Sequence, residues 1–144
     1  GTESLALGKL DAADFQQVLN VNVVAPAMLL QAFREHVAAS ELKIMVGMSS
    51  ILGSVGGNSD GSLYGYRSSK AALNAVMRSA SCDLRGDGIT AIAMHPGWVI
   101  TDMGGAGAMI TTDVSIAGMI KVIAGLTPAD SGRFLTYNGE ELPW

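Results

Sequence analysis

Cysteine is nearly missing from this chain of 144 residues, with Cys82 its single example. One thiol excludes an internal disulfide framework and a cysteine metal cluster. The run Ala80, Ser81, Cys82, Leu84 reads as helix, so the expected state of the thiol is packed and inert. Basic residues are also scarce, 9 Lys and Arg against 13 Asp and Glu, for a net charge of −4. That balance argues against a nucleic-acid or anionic-membrane partner. Charge as a whole is low at 15%, whereas hydrophobic residues reach 49%. Such a composition excludes a disordered chain and suffices for a real core. No apolar run approaches a membrane span, because Asn22, Pro26 and Gln31 break the longest stretches. No secretory leader is visible, so a cytoplasmic location is expected. The chain opens Gly-Thr-Glu-Ser without a Met, which makes it either processed or a piece of something longer. Repeats and domain linkers are absent too, and residues 1–144 read as a single domain.

The positive signals alternate. Gly1 to Gly8 carries no strong pattern. Asp11 is a good N-cap, with Asp14 favouring the first turn of a helix. Phe15, Val18, Leu19, Asn22, Val23, Leu29, Leu30, Phe33 and Val37 then recur at helical spacing, with a kink predicted at Pro26. Lys43 to Met48 reads as a buried strand, and Gly56 to Gly61 as a loop. A long helix carries Tyr66 and ends at Arg85-Gly86-Asp87-Gly88. Ile89 to Met94 is a second strand, broken by His95-Pro96-Gly97-Trp98. Asp102 to Met109 holds three glycines and reads as a mobile flap. Thr112 or Asp113 can cap a further helix, and Thr127-Pro128-Ala129-Asp130 a short turn. Phe134 to Tyr137 is a last strand before an Asn138-Gly139 turn. Helix and strand in alternation predict an α/β fold with parallel strands. Ligands then bind beyond the carboxyl ends of the strands.

The chemistry-bearing residues fall at those ends. Ser49-Ser50 follows one strand, His95-Pro96-Gly97-Trp98 the next, and Tyr66 opens the helix between. Tyr66 and Lys70 stand one turn apart at i and i+4 and share a face. An ammonium about 4 Å from a phenol oxygen contributes on the order of 4 kcal/mol at an effective dielectric of ~20. That is roughly what brings a free phenol from its ordinary pKa near 10 to neutrality. A tyrosine under a lysine is thus a candidate general acid/base; the bland alternative is a solvated pair on an ordinary helix. His36 reads as a surface residue and His95 as structural.

In order, the segments Val21-Asn22-Val23, strand-Ser49-Ser50, Tyr66-x-x-x-Lys70 and Pro96-Gly97-Trp98-Val99-x-Thr101-Asp102 resemble the short-chain dehydrogenase/reductase family. Tyr64-Gly65-Tyr66 through Asn74, His95 through Val99, and Thr101 through Gly105 are similar to its C-factor-type and sniffer-type carbonyl reductase branch. The ending Tyr137 to Trp144 is similar as well and reads as a native terminus. The resemblance implies a Rossmann-like doubly wound parallel sheet and an oxidoreductase acting on a small carbonyl or alcohol. It implies Tyr66 as proton donor, with Lys70 lowering its pKa and binding the nicotinamide ribose. Ser50 would hold the substrate oxygen as an oxyanion-type donor. Asn22 would anchor a water in the proton path. Pro96, Gly97, Val99 and Thr101 would contact the nicotinamide of NADP or NAD. Trp98 is a candidate wall of the substrate pocket, with an anchoring core role equally open.

One departure from the family is large. The first strand, the Gly-rich phosphate turn and the Asn-Asn-Ala-Gly stretch have no counterpart here, and no such turn precedes Asp11. The sequence therefore reads as the carboxy-terminal half of the fold, lacking the dinucleotide-phosphate-binding half. The rival to an enzyme is a non-catalytic structural unit that self-associates through an exposed strand edge. Sedimentation as a stable monomer would count against that. An extended epimerase-type relative also uses Tyr-x-x-x-Lys, but the ending at Trp144 leaves no room for its larger substrate domain.

Overall fold

The computed structural model describes residues 6–105 and 107–144. The patternless opening therefore lies mostly outside the described residues, as does one position of the glycine-rich flap. Three parallel strands form the sheet in the order β1-β2-β3: β1 Ile44–Met48, β2 Thr90–His95 and β3 Phe134–Thr136. Ile44 is in register with Thr90, and Ala93 with Phe134. Five of the six β2 residues are buried, as a central parallel strand demands. The chain is α/β, as expected.

One long helical rod precedes β1. It comprises α1 Ala12–Leu19, a π turn Asn20–Val24 and α2 Ala25–Ala38. Asp11 caps it by accepting the Asp14 N–H at 2.8 Å. The irregularity predicted at Pro26 falls just ahead of it, in the π turn. Pro26 has no N–H to return to the Asn22 carbonyl four residues back. The ladder relaxes there to a wider spacing, and the Ala25 N–H reaches the Asn20 carbonyl.

The next helix, α3 Tyr64–Asp83, starts two residues before Tyr66. Its inward stripe is Gly65, Ser69, Leu73, Met77 and Ser81, at spacing i, i+4. Leu73 and Met77 pack with Met45, Ala91, Ala93 and Phe134 on one face of the sheet. Cys82 lies outside this stripe and is exposed, which corrects the expectation of a packed thiol. Helix α4, Thr112–Ala124, is capped by Thr111 rather than by Thr112 or Asp113, the Thr111 hydroxyl accepting the Val114 N–H. It covers the opposite face, where Met119, Val122 and Ile123 meet Ile92, Met94 and Leu135.

The two sheet edges differ. The segment after β3 folds back on it, with the Leu142 N–H donating to the Phe134 carbonyl and the Thr136 N–H to the Glu140 carbonyl. The outer edge of β1 has no strand beside it among the described residues. An apolar cleft of ≈ 350 Å³ runs along it, lined by residues that include Val21, Leu29, Phe33, Met45 and Met48. Val21, Leu29 and Phe33 are more than half exposed there. No described helix is long and apolar enough to cross a membrane.

Candidate active site

Strand β1 ends in two serines that face different tasks. Ser49 is buried, and its hydroxyl donates to Asn74 Oδ1 of α3 at 2.6 Å. The Asn74 amide in turn donates to the Gly53 carbonyl at 3.4 Å. Ser50 caps the 3₁₀ turn Ile51–Gly53, its Oγ accepting the Leu52 N–H at 3.2 Å. The Ser50 hydroxyl proton is engaged by no described residue, so it is free for a substrate oxygen.

Lys70 is bracketed by this same segment. Its Nζ donates to the Met48 carbonyl at 2.9 Å, two residues before Ser50. Gly53, three residues after Ser50, is pressed on the Lys70 backbone: a Cβ there would lie 2.8 Å from the Lys70 carbonyl carbon. Only glycine allows that approach. The Lys70 ammonium stands 5.7 Å from the centroid of the Tyr66 ring. Burial lowers its pKa from the ordinary 10.5, because a low-dielectric setting disfavours the cation. One of its three N–H groups is spent on Met48, and two remain for hydroxyl acceptors.

Asn22 reaches the site from the π turn, its Nδ2 donating to Ser69 Oγ at 3.0 Å. The Ser69 hydroxyl donates to the Tyr66 carbonyl at 2.8 Å. Asn22 is thus tied through Ser69 to the first turn of α3, where Lys70 stands over the Tyr66 ring, while no hydrogen bond among the described residues joins the Ser50 side chain to these three. Ser69 makes the first of these links, and Asn74 holds Ser49 to the Gly53 carbonyl. Sequence reading missed both, although polar residues on the inward face of a helix are a signal that they are tied to something.

The Pro96 to Thr101 loop stands at the end of the neighbouring strand. The Ser115 hydroxyl of α4 donates to the Pro96 carbonyl at 2.6 Å. Gly97 has φ +88°, a left-handed backbone that favours glycine, and a Cβ there would press on Ile110 Cδ1 and the Tyr137 ring. Val99 forms an isolated bridge with Ile110, closing the glycine-rich flap at its base. Thr101 Oγ1 donates to the Val99 carbonyl at 3.4 Å and accepts the Gly104 N–H at 3.1 Å. Trp98 is 53% exposed, and its indole N–H donates to the Gly104 carbonyl at 2.9 Å. It is not a core anchor. No hydrogen bond among the described residues joins this loop to Tyr66 or Lys70. His95 precedes it half-buried, Nδ1 lacking a partner among the described residues, and burial lowers its pKa from 6.5. His36 is exposed, as expected.

The Asn74 bridge yields a stability test. Asn74→Ala leaves the Ser49 hydroxyl and the Gly53 carbonyl without their buried partner. The expected loss is about 2 kcal/mol, read as a lower denaturant midpoint at unchanged slope. A midpoint equal to that of the parent would remove the bridge from the account.

Comparison with known proteins agrees with this geometry. The family model described as short chain dehydrogenase matches residues 2–108. The chain is 43% identical over 139 residues to the C-signal protein of Myxococcus xanthus, covering 96% of this chain and 84% of that one. It is 36% identical to 1-hydroxy-2-glutathionyl-2-methyl-3-butene dehydrogenase of a Rhodococcus species, covering 96% of this chain and 62% of that one. Among solved structures, the carbonyl reductase Sniffer of D. melanogaster superposes with a TM-score of 0.91 at 36% identity, over 96% of this chain and 60% of that one. The NADPH-bound carbonyl reductase from chicken fatty liver also gives 0.91, at 34% identity, over 98% of this chain and 61% of that one. The chain therefore spans less than two thirds of the length of the last three relatives. Its sheet is the corresponding part of a Rossmann-type sheet, and the chain belongs to the short-chain dehydrogenase family of oxidoreductases.

Proposed function

We propose that residues 1–144 form one unit, the proton-transfer half of an NAD(P)-dependent carbonyl reductase acting on a small carbonyl or alcohol in the cytoplasm. The observation that carries this reading is the Lys70 ammonium, half-buried over the Tyr66 ring and tied to the carbonyl two residues before Ser50. A cation desolvated beside a phenol favours the phenolate, and so makes the phenol a better proton donor. Tyr66 gives its proton to the carbonyl oxygen as that oxygen gains charge, and takes one back in the alcohol direction. Ser50 donates its unengaged hydroxyl proton to the same oxygen. Asn22 holds the approach from the π turn, where a water would pass protons onward.

The residues fit the nicotinamide end of the cofactor. Lys70 has two N–H groups left for the ribose hydroxyls, and Tyr66 lies on the same helical face. Pro96, Gly97, Val99 and Thr101 offer backbone and hydroxyl groups at the adjacent strand end for the carboxamide. When bound, NADP or NAD supplies the hydride. Residues for its phosphates are not evident in this chain, which has no glycine-rich strand-to-helix turn. Trp98, exposed and bonded to the flap at the Gly104 carbonyl, would serve as a wall of the substrate pocket.

The test is consumption of NADPH by the protein in the presence of aromatic and aliphatic aldehydes and ketones. Carbonyl-dependent consumption is expected. Its absence with every carbonyl class, in protein shown to bind NADPH, would sink the reading.

A further inference from the structure

We propose that Ser69 is a positioning residue, holding the Tyr66–Lys70 turn to the π turn of the preceding helical rod through one directed chain of hydrogen bonds. The proposal deepens the reading of Tyr66 as proton donor and rests on it for its kinetic consequence. Ser69 is wholly buried, at 0% exposure. A serine that bonds back to the carbonyl three residues earlier is common in helices by itself. What sets this one apart is a second partner 47 residues away, the Asn22 amide.

The chain has a fixed direction. The Tyr66 carbonyl can only accept, so the Ser69 hydroxyl must donate to it. The Ser69 oxygen then has only lone pairs to offer, so Asn22 must present an N–H, as it does at 3.0 Å. The order is therefore Asn22 Nδ2–H to Ser69 Oγ, and Ser69 O–H to the Tyr66 carbonyl. That carbonyl is also the helical acceptor for the Lys70 N–H. The chain thus ends on the peptide group through which Tyr66 and Lys70 share a turn. Asn22 sits where the rod widens ahead of Pro26, so the position of the π turn is transmitted to the turn that bears the acid. Aspartate at position 22 would break the direction, having no proton to give.

The test uses Ser69→Ala and, because burial makes that change demanding, Asn22→Ala, which cuts the same chain from its partly exposed end. In NMR spectra of the isotope-labelled protein, both variants are expected to shift the Tyr66 ring resonances while those of Tyr137 stay in place. Ser69→Ala should also move the Asn22 side-chain amide signals. In the carbonyl-reduction assay each change should lower kcat roughly ten- to a hundred-fold, with KM within about threefold. The double variant should be no worse than the more damaging single one. Ser79→Ala, on the exposed side of α3, is the control. Melting temperatures that fall while Tyr66 resonances and kcat hold would overturn the proposal and leave Ser69 a structural residue. If Tyr66 moves as expected but the parent protein reduces no carbonyl, the positioning stands and the enzymatic reading fails. If turnover depends on Tyr66 but is indifferent to both changes, the positioning fails alone.

Discussion

Lys70→Met is expected to melt at a higher temperature than the parent protein while losing about two orders of magnitude in turnover. The two effects have one cause. Burial lowers the Lys70 pKa below 10.5, so the cation is held where the fold disfavours it. The sign of the pH dependence follows. Between the lowered folded value and 10.5, the unfolded chain binds more protons than the folded one. Stability contributed by this group therefore rises with pH through that window. At neutral pH the charged lysine is a cost, and a methionine of similar length removes it. The lost bond to the Met48 carbonyl is replaceable by water, because Met48 is 46% exposed. Turnover falls because an ammonium 5.7 Å from the Tyr66 ring centroid no longer supports the charge developing on the phenol oxygen. At that separation and an effective dielectric of ~20 the support is about 3 kcal/mol, or roughly 10² in rate. Thermal melts at pH 7 and pH 10 check the first half: the parent should gain stability relative to Lys70→Met as pH rises. A variant that melts lower than the parent at pH 7, or that keeps turnover within threefold, would show Lys70 to be an ordinary structural lysine.

Tyr66→Phe is expected to reduce kcat by about 10³, with KM near that of the parent. General acid catalysis by a positioned group contributes typically 10²–10⁴-fold, and the change deletes only the hydroxyl. The ring that lies under Lys70 is kept, so the melting temperature should stay within a few degrees. A loss confined to kcat marks an interaction made in the transition state. A rise in KM alone would make Tyr66 a binding residue.

The parts of the molecule that sequence made legible are those with local causes. Asp11 caps its helix because a carboxylate three residues before an orphan N–H needs nothing else. The strands followed from short apolar runs, and their parallel order from the helices between them. Ser50, Tyr66 and Lys70 could be singled out as candidates because each stands at a strand end or in the first turns of a helix. Ser69 and Asn74 could not be, because their partners, Asn22 and Ser49, lie 47 and 25 residues away. The kink predicted at Pro26 is found as a π turn just ahead of it, since the proline acts on the carbonyl four residues behind it. Cys82 was judged by its apolar neighbours, when the phase of the stripe Leu73, Met77, Ser81 decides which side faces the core. The open edge of β1 and the apolar residues beside it were anticipated from the family segments that this sequence does not contain.

The central claim is that Tyr66, paired with Lys70, is the proton donor, and that the neighbouring Tyr64 is not. Tyr64 sits in the same first turn of α3 and is 36% exposed. The most direct measurement is NADPH-dependent carbonyl reduction by Tyr64→Phe and Tyr66→Phe side by side, at matched folded concentration. The account expects Tyr64→Phe to stay within about threefold of the parent and Tyr66→Phe to fall by about 10³. Equal losses in both, or a loss in Tyr64→Phe alone, would contradict it.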